Sequence, residues 1–151
     1  MKILMVCLGN ICRSPMAQGV MEKYIGRHNL SWTVDSAGTN GYHNGESPDT
    51  RAICEAKKHN VDISKQISRR VRHSDLDEFD LILAMDSNNL SYLQSMCRND
   101  QQLNKIRLLL NYVYPEQNQS VPDPYYDNSF DHSIQLIDQA CKEIIKQNHK
   151  C

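Results

Sequence analysis

The sequence predicts an α/β fold, a single-domain open parallel sheet of about four strands with helices on both faces. Three observations predict it. Short apolar runs at residues 2–6, 80–84 and 105–109 have the length and aliphatic content of strands buried on both faces. Longer stretches with apolar residues at helical spacing separate them. The first run breaks into Gly-Asn and then Ser-Pro, which is strand, tight loop and helix start in succession. Strands alternating with helices give parallel neighbours joined by crossovers, with helices on both sides.

Each element follows in order. Residues 2–6 (KILMV) form the first strand. Ser14 is placed to cap a helix with Pro15 at its first position, and Met16, Val20, Met21 and Tyr24 give that helix an apolar face through about residue 28. Residues 32–37 (WTVDSA) read as the second strand and 38–45 as a loop. Ser47-Pro48-Asp49 repeats the helix-start signal, and Ala52, Ile53 and Ala56 supply the apolar stripe. Residues 80–84 (DLILA) form the third strand, and Asp86-Ser87-Asn88 caps a helix running to about Met96. Residues 105–109 form the fourth strand. Residues 111–127, with Pro at 115, 122 and 124, read as a long loop. The last helix runs over 129–147, with Ile134, Ile137, Ala140, Cys141, Ile144 and Ile145 on one stripe. No repeat, low-complexity tract or linker interrupts the chain, so residues 1–151 are expected to form one domain.

Composition narrows the function classes. The chain has 151 residues, 40% hydrophobic and 23% charged, which fits an ordinary soluble domain. Seventeen Lys+Arg against 18 Asp+Glu give a net charge of −1, so no broad nucleic-acid or anionic-membrane surface is indicated. No apolar run approaches the ~18 residues of a membrane span, and the N-terminal apolar run is too short for a signal peptide. The six cysteines, at 7, 12, 54, 97, 141 and 151, are irregularly spaced. They fit free thiols in a reducing, cytoplasmic setting better than a disulfide framework. Cys54 and Cys141 lie on apolar helical stripes and are expected in the core, while Cys97 and Cys151 are expected to be inert. The six histidines make no metal-like spacing with one another or with a Cys pair, so neither metal nor cofactor is expected. Lys57, Lys58, Arg69, Arg70 and Arg72 read as a solvated face.

The informative segment is Cys7-Leu8-Gly9-Asn10-Ile11-Cys12-Arg13-Ser14, beyond the carboxyl end of the first strand. Its backbone N–H groups and the following helix N-terminus can cradle an anion. Gly9 and Asn10 are the residues best able to take the left-handed conformation that turns amides inward. Arg13 would supply a planar charged fork to two oxygens of a tetrahedral oxyanion. Cys7 would meet its centre, as a thiolate favoured by the same amides and by the Ser14 hydroxyl. A lone C-x5-R pattern arises by chance, and a strand-end cysteine is often only a small buried hydrophobe. The strand before it and the helix start after it favour the reactive reading. Neither GxxxxGK[ST] nor GxGxxG is present, so a nucleotide site is not indicated.

The segment V-C-L-G-N-I-C-R-S-P at 6–15 resembles the active-site loop of the low-molecular-weight protein tyrosine phosphatases. Asp35-Ser36-Ala37-Gly38-Thr39, Ser47-Pro48-Asp49, Leu81-Ile82-Leu83-Ala84-Met85-Asp86 and Asp123-Pro124-Tyr125-Tyr126 continue the resemblance over nearly the whole chain. It implies a small cytoplasmic, metal-free hydrolase of phosphotyrosine-containing proteins or peptides and aryl phosphates, with acid phosphatase activity. It also implies that inorganic phosphate or other oxyanions occupy the loop. Residue by residue, Cys7 matches the nucleophile, Arg13 the phosphate-binding arginine and Asp123 the general acid and base. Leu8, Gly9, Asn10, Ile11, Cys12 and Ser14 match the loop, and Ser36 matches a supporting serine. Tyr42, Tyr125 and Tyr126 match the substrate cleft. Cys7 and Cys12 match a pair able to form a reversible disulfide. The sequence departs from the family at Tyr42, where many relatives have Trp, and at Gln66, the counterpart of a His that braces the loop.

Asp123 fits the acid role chemically. Expelling an alkoxide or phenolate needs a proton, worth ~10²–10⁴ in rate, and flanking Pro122 and Pro124 would hold the carboxyl in place. A thiol-dependent arsenate reductase of the same fold and a non-catalytic phosphate-binding module are the alternatives. The first needs resolving cysteines near Cys7, and the second has no use for both Cys7 and Asp123.

Overall fold

The computed structural model describes residues 1–148, so the expectation for Cys151 lies outside the described residues. Four parallel strands, β1 (Lys2–Cys7), β2 (Thr33–Gly38), β3 (Leu81–Ala84) and β4 (Ile106–Leu108), form one sheet in the order β2-β1-β3-β4. The chain passes from β1 to β2 on one side, then returns across β1 to place β3 on the other. The loops after β1 and β3 therefore diverge over a crevice at the carboxyl ends of the two central strands, where open α/β sheets bind ligands.

The central strand explains the layering. Ile3, Leu4, Met5 and Val6 are fully buried, and successive side chains point to opposite faces. Ile3 and Met5 pack with α1 (Arg13–Arg27), α2 (Thr50–Lys58) and α7 (Phe130–Asn148). Leu4 and Val6 pack with Ile82, Leu76, Phe79 and Leu93, the last on α4 (Ser87–Met96). Each such fully buried aliphatic side chain contributes about 1.5–3 kcal/mol relative to exposure. Gly19 lets α1 sit close to the segment after α2, since a Cβ there would lie 2.5 Å from Val61 Cγ1 and 2.6 Å from Ile63 Cγ2.

Several boundaries differ from the sequence reading, each for a local reason. Helix α1 starts at Arg13 with Cys12 at its N-cap. Ser14 does not cap it, because its hydroxyl is turned to Cys7. Helix α2 is capped by Asp49, which accepts from the Arg51 amide, and not by Ser47. The stretch read as the loop 111–127 begins inside a 3-10 turn, Leu109–Tyr112, and ends in a short helix, α6 (Pro124–Asp127), capped by the Asp123 side chain. Two further one-turn helices, α3 (Asp75–Glu78) and α5 (Asp100–Leu103), are too short to show periodicity.

Two side-chain expectations also change. Cys54 faces solvent, while Cys141 is buried as expected. Arg69 is not part of a solvated face. It bridges Asp35 at 3.0 Å and the fully buried Asp75 at 2.9 Å. Among the described residues no helix is long and apolar enough to cross a membrane.

Candidate active site

The loop between β1 and α1 is held from below by the sheet. The Thr39 and Asn40 amides donate to the carbonyls of Cys7 and Leu8 at 2.9 and 3.0 Å. Gly38, at the end of β2, permits this approach. A Cβ there would lie 2.8 Å from the Leu8 carbonyl oxygen and 3.1 Å from the Asn10 nitrogen, so any side chain would lift the loop. The Asp49 amide at the start of α2 donates to the Ile11 carbonyl at 2.8 Å. Asn10 takes the left-handed conformation expected of it, with φ 57°. Gly9 does not. Its smallness serves a different purpose, since a Cβ would come within 3.1 Å of the His43 ring.

That backbone turn aims the Asn10 amide at the Cys7 sulfur, 3.3 Å away. The Asn10 side chain then sets the direction of the side-chain hydrogen bonds around the thiol. The Arg69 backbone N–H donates to Asn10 Oδ1 at 3.0 Å, which fixes which end of the carboxamide is oxygen. Asn10 Nδ2 must then donate both its hydrogens, to Ser14 Oγ at 2.8 Å and Ser36 Oγ at 2.9 Å. Ser36 passes its own hydrogen to Gln18 Oε1 at 2.7 Å. Ser14 keeps one hydrogen, and Cys7 Sγ lies 2.9 Å from its oxygen, against 3.5 Å for the Ala37 carbonyl. The network therefore presents donors to the sulfur, which suits a thiolate.

Cys12 has a different environment. Burial, followed by the negative charges of Asp49 and Cys7, pushes its thiol well above the ordinary cysteine range. Of the two loop cysteines, only Cys7 is surrounded by donors, so the chemistry separates on Cys7.

Arg13 closes the loop and is almost fully buried. Its Nη1 donates to Asp86 Oδ2 at 2.8 Å and to the Val121 carbonyl at 3.0 Å, and its Nη2 reaches Asp123 Oδ2 at 3.4 Å. Burial opposes the charge, but Cys7, Asp123 and Asp86 outweigh it and raise the guanidinium above its ordinary range. Breaking a buried ion pair by removing one partner costs about 3–5 kcal/mol, so Asp86 is part of how Arg13 is held. Among the described residues Nε makes no hydrogen bond. The Nε–H and the second Nη2–H form the free edge of the fork.

Above the loop lies a cleft of about 250 Å³ lined by Cys7, Leu8, Ile11, Cys12, Arg13 and Asp123, with Tyr42, His43, Tyr125 and Tyr126 at its rim. The rim tyrosines are exposed, Tyr42 most of all at 86%, which leaves them free to cover a ligand. Tyr125 and Tyr126 meet edge to face with ring centroids 5.2 Å apart. The side chains of Asn10, Ser14 and Ser36 lie outside the cleft, where Ser14 acts on the sulfur directly and Ser36 acts through Asn10.

The site also uses residues that the sequence reading assigned elsewhere or passed over. Asp86 was read only as a helix cap, and it does cap α4 through Oδ1 while holding Arg13 through Oδ2. Its position just past β3, at the topological switch, is the signal that marks it. Ser68 and Arg69 brace the loop, with the Ser68 hydroxyl donating to the Gly9 carbonyl at 3.0 Å. Gln66, the counterpart of a bracing His, donates to the Pro15 carbonyl at 3.0 Å, on the first turn of α1. His43 enters the cleft wall and pairs with Glu46 at 2.6 Å. Nothing in the spacing of either marks them. Among the described residues no cluster of His, Cys, Asp or Glu could hold a metal ion.

Comparison with known proteins identifies the fold and the family. Residues 2–150 match the family described as low molecular weight phosphotyrosine protein phosphatase. A low molecular weight protein-tyrosine-phosphatase of Bacillus subtilis is 36% identical over 98% of this chain and 96% of its own. A protein tyrosine phosphatase structure from Entamoeba histolytica, with Hepes in its active site, superposes with a TM-score of 0.91 at 40% identity, covering 97% of this chain and 96% of that one. The Vibrio vulnificus protein Wzb, in complex with benzylphosphonate, superposes with a TM-score of 0.85 at 32% identity, over 97% of each chain.

Removal of the Ser14 hydroxyl deprives the sulfur of its nearest donor. A hydrogen bond to a charged group is worth about 1.5–3 kcal/mol, so Ser14→Ala is expected to slow alkylation of Cys7 by iodoacetate at acid pH, where protons compete for the sulfur, by about tenfold or more. Unchanged alkylation, followed by mass spectrometry of the Cys7 peptide, would show that the hydroxyl does not serve the thiolate.

Proposed function

The chain belongs to the low molecular weight phosphotyrosine protein phosphatase family, and we propose that it works through a cysteinyl-phosphate on Cys7 with Asp123 as general acid and base. The observation that carries this reading is the set of donors turned on the Cys7 sulfur, beneath a cleft whose other pole is the Asp123 carboxyl. The phosphoryl oxygens of the substrate sit against the loop amides and the free Nε–Nη2 edge of Arg13. Cys7 attacks phosphorus in line, and the bond to the leaving oxygen breaks. Asp123, protonated beside the substrate phosphate, gives that oxygen its proton. The carboxylate then takes a proton from a water, which attacks the cysteinyl-phosphate and releases inorganic phosphate and the Cys7 thiolate.

The substrate preference follows from the walls. Leu8, Ile11, Tyr42 and Tyr125 offer apolar and aromatic surface to a flat leaving group. Phosphotyrosine in proteins or peptides fits that depth and lining, and the benzylphosphonate held by the Vibrio vulnificus relative has the same aryl shape. The arsenate reductase alternative needs a resolving cysteine beyond the Cys7–Cys12 loop, and geometry disfavours the candidate. Cys97 caps the far end of α4, whose start is at Asp86, and a ten-residue helix is about 15 Å long. The silent-module alternative leaves the Cys7 donors and Asp123 without a use.

The reading includes the reducing, cytoplasmic setting expected from the sequence, in which Cys7 stays reduced, and a protective role for Cys12. Peroxide would convert Cys7 to a sulfenic acid. The Cys12 thiol would displace water from it to give a disulfide, which an external thiol reduces. Burial of Cys12 keeps it protonated until then.

Two measurements test the proposal. Hydrolysis of an aryl phosphate without metal is expected to vanish in Cys7→Ser with phosphate binding retained, and to fall about 10²–10⁴-fold in Asp123→Ala, less with a good leaving group; full activity of Cys7→Ser would overturn the mechanism. After peroxide treatment, wild type is expected to regain activity with dithiothreitol and Cys12→Ser to regain much less. Equal recovery would remove the protective role.

A further inference from the structure

We propose that Arg51 is a positioning residue that holds the Asp123-bearing segment at its working distance from Cys7. The inference rests on the general-acid reading of Asp123. It starts from an arginine on the first turn of α2 that the reaction itself does not use. A surface arginine paired with a neighbouring aspartate contributes little by itself. Arg51 makes that pair, with Nε and Nη2 on the two Asp49 oxygens at 3.1 and 2.9 Å. The pair, however, is only an anchor. It fixes the guanidinium plane so that its other side reaches a different part of the chain.

What it reaches is α6, the single helical turn that Asp123 caps. Arg51 Nη1 donates to Asn128 Oδ1 at 2.6 Å, and both terminal nitrogens lie 3.4–3.5 Å from the Tyr125 carbonyl. The guanidinium carbon is 5.3 Å from the centre of the Tyr125 ring and 5.0 Å from that of Phe130. Asn128 ends α6 in the left-handed conformation, with φ 61°. Arg51 thus holds both the carbonyl side and the closing residue of the turn. At the opposite end, Asp123 Oδ1 accepts the Tyr125 amide at 3.1 Å. The Tyr125 peptide is therefore gripped through its N–H by the acid itself and through its C=O by Arg51.

A one-turn helix has too few internal hydrogen bonds to hold its own shape. The acid and one wall of the cleft sit on this turn, so their placement depends on external ties. Arg13 Nη2 on Asp123 and the Ser133 hydroxyl on the Pro122 carbonyl are two of these, and Arg51 adds the ties to the far half of the turn from α2, whose N-terminus also holds the Ile11 carbonyl of the loop. One helix start thus sets the distance between the two halves of the site. Loss of Arg51 leaves the loop, Cys7 and Arg13 in place and lets the turn drift with the acid and Tyr125, which weakens protonation of the leaving oxygen most and loosens one aryl wall for both substrates alike.

The test compares kcat/KM for p-nitrophenyl phosphate, whose leaving group needs little protonation, and phenyl phosphate, whose leaving group needs it. Wild type, Arg51→Ala, Arg51→Lys and Asp123→Ala are measured alongside inhibition by inorganic phosphate. Arg51→Ala is expected to lose about tenfold on phenyl phosphate and no more than about twofold on p-nitrophenyl phosphate, with phosphate inhibition unchanged. Arg51→Lys keeps the charge but not the fork, and is expected to follow Arg51→Ala. It carries the test if the alanine variant does not fold. Equal losses on the two substrates, a parallel loss of phosphate inhibition, or no loss would each overturn the positioning role while leaving Asp123 as acid. If Asp123→Ala shows no dependence on leaving group, the general-acid reading fails and the proposal falls with it.

Discussion

The site depends on the orientation of one carboxamide. A single backbone amide, that of Arg69, fixes the oxygen end of Asn10, and the remaining hydrogen bonds take their direction from it. Two hydrogens leave Asn10 for Ser14 and Ser36, so neither hydroxyl can donate back to it, and the Ser14 hydrogen is directed to the sulfur. A network that is fully satisfied and has one possible polarity is worth more than its separate bonds. It also explains why Arg69 is half-buried between Asp35 and Asp75, since that bridging keeps the donating amide in register with the loop.

The fold supplies the rest of the geometry. Parallel strands with a switch between β1 and β3 bring two loops to the same edge, one carrying Cys7 and one carrying Asp86. Asp86 then orients the arginine that closes the first loop. This division of labour uses up one edge of the Arg13 fork on the scaffold and leaves the other for an oxyanion. The third contributor, the turn with Asp123 and Tyr125, comes from the other side of the cleft and is stabilised mainly by what it is tied to.

Much of this was legible in the residues. The apolar run at 2–6, followed by Cys-x5-Arg and Ser-Pro, implied a strand, an anion cradle and a helix, because those residue types have few other uses in that order. Tyr42 and Tyr125 were legible through the family resemblance, and the cleft brings both to its rim. Each difference has its own cause. Ser14 looked like a cap because Ser-Pro usually is one, but the demand of the sulfur outweighed the demand of the helix end. Cys54 looked like core because its neighbours in α2 are apolar, but a short helix buries only a narrow stripe. The braces at Ser68 and Arg69, like the grip of Arg51, join residues far apart in sequence, and no local pattern encodes such a pairing.

The most direct test of the account is the position of one hydrogen. Neutron diffraction from crystals exchanged into heavy water at neutral pH is expected to place the Ser14 deuterium on the line to Cys7 Sγ, with no deuterium on the sulfur and both Asn10 Nδ2 deuteriums directed at Ser14 and Ser36. A deuterium on the sulfur, with the Ser14 hydroxyl turned to the Ala37 carbonyl, would contradict it.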